Sequence, residues 1–205
     1  TDQDSGHVIH VADDRTTESV EVFYASLTDK QRANIEAVAM DMWPAYIKAT
    51  RAQIPDAENK IAFDKFHVAK YLGDGVDKVR RQEHRALMQE GDRTLKGSKY
   101  QWLRNPHNMS SEQASHFAAL RDSTLKTARA WAMKEMAMDI WRYQSRGWAI
   151  KAWKSWFAWA QRCRLEPMKK VAATLKNHLC GILNAIALGV HNGHAESNNA
   201  RIQRI

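Results

Sequence analysis

Cysteine is scarce in this chain: its 205 residues include only Cys163 and Cys180, and neither lies in a CxxC motif. This scarcity argues against a disulfide framework and against a structural zinc site, and it favours a reducing compartment such as the cytoplasm. A long uninterrupted apolar stretch is also missing, because Lys, Arg, Asn and His break the hydrophobic runs. We therefore expect neither a signal peptide nor a membrane-spanning helix.

Acidic residues are outnumbered by basic ones, 23 to 31, which gives a formal net charge of +8. Apolar residues make up 44% of the chain, as expected for a sequence that folds around a core. A folded, strongly basic chain favours an anionic partner, most often nucleic acid, although a merely basic soluble protein has the same composition.

The first 67 residues alternate between strand and helix patterns. The strand patterns are HVIHVA at residues 7–12 and the short apolar runs 35–41 and 60–66, and the helix patterns are residues 16–34 and Pro44–Gln53. This β-α-β-α-β order predicts an α/β sheet with parallel neighbouring strands.

Strand patterns disappear after residue 67. Residues 68–188 have helical apolar spacing, so they predict a helical subdomain inserted in, or appended to, the α/β core. A further polar helix follows Gly193, so we assign residues 189–205 to a closing helix of the core.

Acidic residues stand where these predicted elements end or begin. Asp41 ends the first apolar run, Asp64 lies in the second, where the strand pattern gives way to a helix, and Glu196 opens the late polar helix. Functional side chains gather at the carboxyl ends of strands in α/β sheets, but an aspartate there equally caps the next helix. A glutamate in a first helical turn is also common for dipole reasons alone.

Asp64 and His67 form a D-x-x-H pair at the start of a predicted helix. The pair is compatible with metal ligation, with Asp64 orienting His67, or with a helix cap beside a packed histidine. Together with Asp41 and Glu196, the pair suggests metal-dependent chemistry on a phosphate backbone, for which two divalent ions need about three converging acids. Asp41 and Glu196 are the best candidates, and the third acid is less clear.

Six of the eight tryptophans lie between residues 131 and 159, where cations interleave with them. These cations include Arg142, Arg146, Lys151 and Lys154. Aromatic residues at helical spacing usually form a core, whereas aromatic residues among cations suggest a surface for stacking with bases or with a partner. Both interpretations are compatible with opposite faces of one helix.

Four segments together resemble the ISL3 type of DDE transposases from bacterial insertion sequences: VAMDMWPAYIKAT, IAFDKFHVAKYL, WAMKEMAMDIW and HAESNNARIQRI. The resemblance covers nearly the whole chain. It implies an α/β, ribonuclease H-like mixed-sheet core interrupted by a mostly helical insertion. It also implies DNA cleavage and strand transfer with Mg²⁺ or Mn²⁺ in a two-metal mechanism.

The resemblance also assigns roles to individual residues. Asp41 matches the second catalytic Asp and Glu196 the closing Glu, both as metal ligands, while Asp64 and His67 match a supporting D-x-x-H element. An alternative alignment makes Asp64 the second catalytic Asp, but we prefer Asp41 because the core needs one more strand after it.

The partners implied by the resemblance are double-stranded DNA, as terminal inverted repeats and as target, and a second copy of the protein. The location implied is the nucleoid in the bacterial cytoplasm. We expect phosphate contacts from Arg142, Arg146, Lys151, Lys154 and Arg201.

The first catalytic Asp of the family lies on an opening strand that should precede Thr1, and the acids near the start sit in turns or after a strand pattern. The family's N-terminal DNA-binding region and the end of its basic C-terminal helix are also missing. We therefore expect a transposase truncated at both ends that does not cleave DNA alone. Two alternatives stay open: a non-enzymatic basic DNA-binding module or decayed remnant, and a stand-alone metal nuclease that uses Asp41, Asp64, His67 and Glu196.

Overall fold

The structure, a computed structural model, describes residues 1–14, 16–123, 125–190, 193 and 197–198. Two strands and eleven α-helices can be bounded within these residues. They are α1 (Thr17–Ala25), α2 (Asp29–Asn34), β1 (Val38–Met40), α3 (Pro44–Gln53), α4 (Ala57–Lys60), β2 (Ile61–Phe63), α5 (Lys65–Gln89), α6 (Lys99–Leu103), α7 (Ser111–Arg121), α8 (Lys126–Asp139), α9 (Arg146–Arg162), α10 (Glu166–Asn177) and α11 (Leu179–Leu188).

The two strands pair in parallel, with Val38 opposite Ile61 and Met40 opposite Phe63. Parallel pairing requires a crossover, and α3 and α4 provide it between the strands. The predicted parallel arrangement of these two strands is therefore confirmed. In the described residues the sheet has two strands, so the fold is a mixed α/β arrangement dominated by helices.

Helix α11 packs against β2 at a point where a side chain would not fit. A Cβ added to Gly181 would lie 2.4 Å from Cδ2 of Phe63, so only glycine allows this approach without a shift of the ring. The ring of His178 meets the same phenyl ring edge-on, with 5.2 Å between the centroids. These contacts involve Phe63, the last residue of β2.

The chain divides into two compact units. The first, here called the core unit, comprises Thr1–His67, Gln144–Arg146 and Asn177–Ile205; the second, the helical unit, comprises Val68–Tyr143 and Gly147–Lys176. Helix α5 starts in the core unit and continues in the helical unit. The described residues of the helical unit contain helices and turns and no strand, as the sequence predicts.

The predicted strand at residues 7–12 is wrong. These residues have no strand structure, and Val8, Ile9 and Val11 are 46–62% exposed. An alternating pattern yields a strand only when a neighbour accepts its backbone hydrogen bonds, and no described residue pairs with this segment.

The helix predicted over residues 16–34 is two helices. Thr16 caps the first by accepting a hydrogen bond from the Ser19 amide. Thr28 and Gln31 then form a reciprocal capping box that starts α2. The capping box gives the backbone a local alternative to one continuous helix, so the chain turns before Thr28.

Candidate active site at the carboxyl ends of the strands

Asp41 and Asp64 both follow the end of a strand, at the same edge of the sheet. Met40 and Phe63 are the last paired residues, and the backbone amide of Asp64 donates a further hydrogen bond to the carbonyl of Met40 at 3.2 Å. Parallel strands bring their carboxyl ends together, so the two aspartates come from neighbouring strands. This edge is therefore the candidate active site.

The Asp41 carboxylate is held by the segment that leads into α3. Its Oδ1 accepts a hydrogen bond from the backbone amide of Trp43 at 3.0 Å, and Pro44 begins the helix at the next residue. The side chain is 19% exposed. Its second oxygen, Oδ2, faces His67. One oxygen of the carboxylate thus accepts a hydrogen bond from the backbone, and the other faces a candidate functional residue.

Asp64 is buried, at 5% exposure, immediately before α5. Its Oδ1 accepts a hydrogen bond from the Phe66 amide at 2.5 Å, which satisfies one of the amides that the first turn of a helix leaves without an intrahelical partner. This contact corresponds to the cap that the sequence left open for Asp64, and it holds the first turn of α5.

His67 lies in the first turn of α5, and its Nε2 is 4.0 Å from Oδ2 of Asp41. The sequence suggested that Asp64 orients His67, and the structure records a contact of His67 with Asp41. The Phe66 ring lies edge-on to the imidazole, with 5.7 Å between centroids. The structure therefore brings together a carboxylate and an imidazole that are 26 residues apart in sequence.

Glu196 and Arg201 lie outside the described residues. Within the described ranges, no three His, Cys, Asp or Glu side chains form a group able to hold a metal ion. The part of the site that can be described is thus Asp41 and His67, with Asp64 beside them at the start of α5.

A model of a transposase family, the DDE transposases of the ISL3 type, matches residues 1–205. The chain belongs to this family. The family that the sequence motifs resemble is therefore confirmed.

Curated transposases are similar over most of this chain. The transposase for insertion sequence element IS1001 of Bordetella parapertussis is 31% identical over 179 residues, which cover 86% of this chain and 44% of that protein. The transposase for IS1557 of Mycobacterium tuberculosis is 26% identical over 227 aligned residues, which cover 98% of this chain and 50% of that protein. The chain thus spans about half the length of these relatives. No solved structure matches it.

Membership in the family generally implies use of a divalent metal ion. Magnesium prefers oxygen ligands, and Asp41 offers a carboxylate oxygen, Oδ2, on the side of His67. The described residues thus include one carboxylate suited to such an ion and no group of three donors that could hold it.

The cations that the sequence assigned to DNA have different surroundings in this transposase. Arg146 donates to Oδ1 of Asn184 at 2.5 Å and is half-buried. Arg142 is exposed and ion-paired with Asp139 at 3.4 Å. Lys154 is exposed. Arg146 is therefore engaged inside the core unit, whereas Arg142 and Lys154 face solvent.

The tryptophan run divides between the two interpretations that the sequence left open. Trp153 and Trp156 are fully buried in the helical unit, and Nε1 of Trp156 donates to the carbonyl of Met133 at 2.8 Å. Trp148 is 59% exposed, with the ammonium of Lys151 4.6 Å from its ring centroid. Trp153 and Trp156 thus belong to the core of the helical unit, and the pair of Trp148 and Lys151 lies at the surface.

Sequence reasoning missed Asn184, which is 1% exposed in α11. Its Nδ2 donates to the carbonyls of Glu58 and Ile61, both at 2.8 Å, and its Oδ1 accepts from Arg146. These hydrogen bonds of Asn184 link α11 to the start of β2. A single amide side chain inside the apolar segment LCGILNAIAL was the signal that would have identified it.

No single helix in the described ranges is long and apolar enough to cross a membrane.

Proposed function

We propose that this chain is part of the catalytic region of an ISL3-type transposase, which cleaves and joins DNA by metal-dependent phosphoryl transfer. The observation that supports it most is the meeting of Asp41 and His67 beside the carboxyl ends of β1 and β2, in a chain that the family matches throughout. The finer fold assignment, a ribonuclease H-like core interrupted by a helical insertion, belongs to the same proposal, as do the boundaries at residues 67 and 188.

In this proposal Asp41 and Glu196 are the metal ligands that this chain contributes. A bound Mg²⁺ or Mn²⁺ pair supplies activation of the attacking water and stabilisation of the leaving oxygen. Asp41 has the geometry for ligation, since the Trp43 amide holds Oδ1 in place while Oδ2 faces the candidate site.

The roles proposed for Asp64 and His67 are supporting ones. Asp64 holds the first turn of α5 through the Phe66 amide, and His67 is in the same turn. A fixed start of α5 therefore fixes the distance between the imidazole and Asp41. His67 in turn supplies a donor or acceptor nitrogen that orients the Asp41 carboxylate or a water bound to it.

The proposed substrate is double-stranded DNA at the ends of the insertion sequence and at the target, handled by a dimer. The charge distribution supports a DNA partner: the helical unit contains 21 Lys and Arg against 10 Asp and Glu, a net charge of +11. A basic module that binds DNA without catalysis has the same charge. Metal binding in the core unit is therefore the property that distinguishes the two candidate functions.

The test is a Mn²⁺ titration of the chain followed by electron paramagnetic resonance of the free ion. Asp41→Asn removes a charged oxygen ligand and should weaken Mn²⁺ binding by at least about tenfold, and His67→Ala should weaken it less. Asp74→Asn, which removes an exposed carboxylate from α5 in the helical unit, is the matched control and should leave the affinity unchanged.

Equal loss in Asp41→Asn and Asp74→Asn would mean that Mn²⁺ binds by general charge attraction. Binding that Asp41→Asn does not change, or no binding by the unmodified chain, would favour the non-enzymatic module.

A further inference from the structure

We infer that an open basic groove between α5 and α10 of the helical unit is a binding site for the DNA phosphate backbone. The groove has a volume of about 370 Å³. Lys78, Arg81 and Arg85 line it from α5, and Lys170 faces them from α10, with Glu166 as its acidic member. This inference rests on the proposed function for its ligand, because it takes DNA as the partner.

The groove is built on a tight helix contact. A Cβ added to Gly75 would lie 3.0 Å from Sδ of Met168 and 3.0 Å from Cγ2 of Val171, so α5 and α10 approach closely at this point. Lys78 follows the contact by one turn of α5, and Lys170 lies in the facing helix. The cations are therefore mounted on two packed helices rather than on loops, and their spacing is set by the packing.

The three cations of α5 are at positions i, i+3 and i+7, which place them along one side of the helix. At 1.5 Å per residue, Lys78 and Arg85 are separated by about 10 Å along the helix axis. Duplex DNA has one phosphate charge for about every 1.7 Å of its own axis, so several phosphates lie within the reach of such a row.

Few acids neutralise the groove. The carboxylate of Glu166 is already paired with Lys169 at 2.7 Å. Arg81 contacts Asp77 at 3.2 Å, but Asp77 is shared with Arg80, which is 2.8 Å away.

Across the described part of the chain, no ion pair involves Lys78, Arg85 or Lys170. All three are exposed, so their ammonium and guanidinium groups can meet an external anion.

The residues that line the groove favour phosphate over bases as the ligand. None of them is aromatic, so the groove has no ring on which a base can stack. Lysine and arginine contacts to phosphate fix position and affinity and have little dependence on sequence. We therefore assign to the groove a contact that is independent of the DNA sequence.

The groove is a better candidate than the cations between residues 142 and 154 that the sequence indicated. Arg146 is bonded to Asn184, and Lys151 lies over the ring of Trp148. Arg142 is exposed but paired with Asp139, and Lys154 is exposed. Three of these four cations thus have intramolecular contacts, whereas the groove concentrates cations from two helices around one depression.

The test measures binding of a short DNA duplex to the chain as a function of salt, by fluorescence anisotropy. The groove variant combines Lys78→Gln, Arg85→Gln and Lys170→Gln. Affinity for DNA falls as salt rises, so the slope of log affinity against log salt is negative. Removal of each cation that binds a phosphate should reduce the magnitude of this slope by about one, so the expected reduction for the groove variant is about three. The variant with Lys78→Arg, Lys170→Arg and Arg85→Lys keeps the charge and should keep the slope.

The matched control combines Arg142→Gln, Lys151→Gln and Lys154→Gln, which removes the same charge from another part of the helical unit. A reduction in the magnitude of the slope by about three for the groove variant and by less than one for the control supports the assignment. Equal decreases would mean that DNA binding responds only to net charge, and a decrease limited to the control would move the site to Arg142, Lys151 and Lys154. Either result contradicts the assignment of DNA binding to the groove.

The proposed catalytic function is tested independently. Absence of DNA binding by the unmodified chain overturns the groove and the DNA part of the proposed function together, while Mn²⁺ binding at Asp41 is still measured on its own. Circular dichroism melting of each variant separates impaired binding from impaired folding, because all six substituted positions are exposed.

Discussion

The core unit and the helical unit of this chain differ in net charge and in the side chains at their centres. Over their sequence ranges the helical unit has a net charge of +11 and the core unit, with 10 basic and 13 acidic residues, a net charge of −3. The chain's basic character is thus a property of one unit. Charge averaged over the chain hides this separation between a unit suited to DNA phosphates and a unit with carboxylates at its strand ends.

The packing of the two units differs as well. The helical unit is centred on aromatic contacts, with Trp153 5.5 Å from both Trp156 and Phe157 between ring centroids. The core unit contains buried hydrogen bonds between groups distant in sequence, from Asn184 to the carbonyl of Ile61 at 2.8 Å and between the hydroxyls of Tyr24 and Thr50 at 2.9 Å. Loss of either side chain would leave a buried polar group without this partner.

The largest expected effect is that of Trp153→Ala in the helical unit. Trp153 is fully buried among three aromatic rings, so its removal should lower the free energy of unfolding by about 3–5 kcal/mol. Urea unfolding measures the change, and hydrogen exchange should increase in α8 and α9. Trp148→Ala, at an exposed site of the same helix, is the control and should change stability by no more than about 0.5 kcal/mol. Similar decreases for both variants would contradict the assignment of Trp153 to the core.

A smaller decrease is expected for Asn184→Leu in the core unit. The substitution leaves the carbonyls of Glu58 and Ile61 and the guanidinium of Arg146 without this partner, which should cost about 2–4 kcal/mol. Hydrogen exchange should increase in α11 and β2 rather than in α8 and α9. The exposed Asn177→Leu serves as the control. Increased exchange confined to the helical unit would show that Asn184 does not stabilise the core unit.

The smallest effect concerns alkaline pH and again belongs to the core unit. Burial raises the pKa of the Tyr24 phenol, and its hydrogen bond with Thr50 lowers the pKa by a smaller amount. Because the unfolded chain ionises first, the stabilisation from the neutral phenol is complete below about pH 10 and is lost as the pH rises through the higher folded pKa.

Urea unfolding between pH 8 and 11 tests this effect. Tyr24→Phe should be less stable by about 1 kcal/mol at pH 8, since it lacks the hydrogen bond with Thr50, but its stability should fall less steeply above pH 10. Tyr100→Phe, at an exposed site of the helical unit, is the control and should keep the steeper decline. Parallel pH profiles for Tyr24→Phe and the unmodified chain would exclude the role of Tyr24.

Local features of the sequence predicted the local features of the fold. The Pro44–Gln53 helix depends on neighbouring residues, and the strands Val38–Met40 and Ile61–Phe63 form because each supplies hydrogen-bond partners to the other. The strand predicted at residues 7–12 has no such partner strand among the described residues. The catalytic roles of Asp41 and Glu196 stay predictions, as do the supporting roles of Asp64 and His67.

The sequence by itself determined the family, the excess of basic charge and the positions of Asp41 and Asp64 after two strands. These follow from residue identity and from spacing along the chain. Only the tertiary structure decided that His67 faces Asp41, that Arg146 binds Asn184 at a separation of 38 residues, and that Lys170 lies across a groove from α5. Periodicity determines which face of an element is apolar, but the partner of a polar side chain depends on which elements pack together, and that depends on the packing of the whole unit.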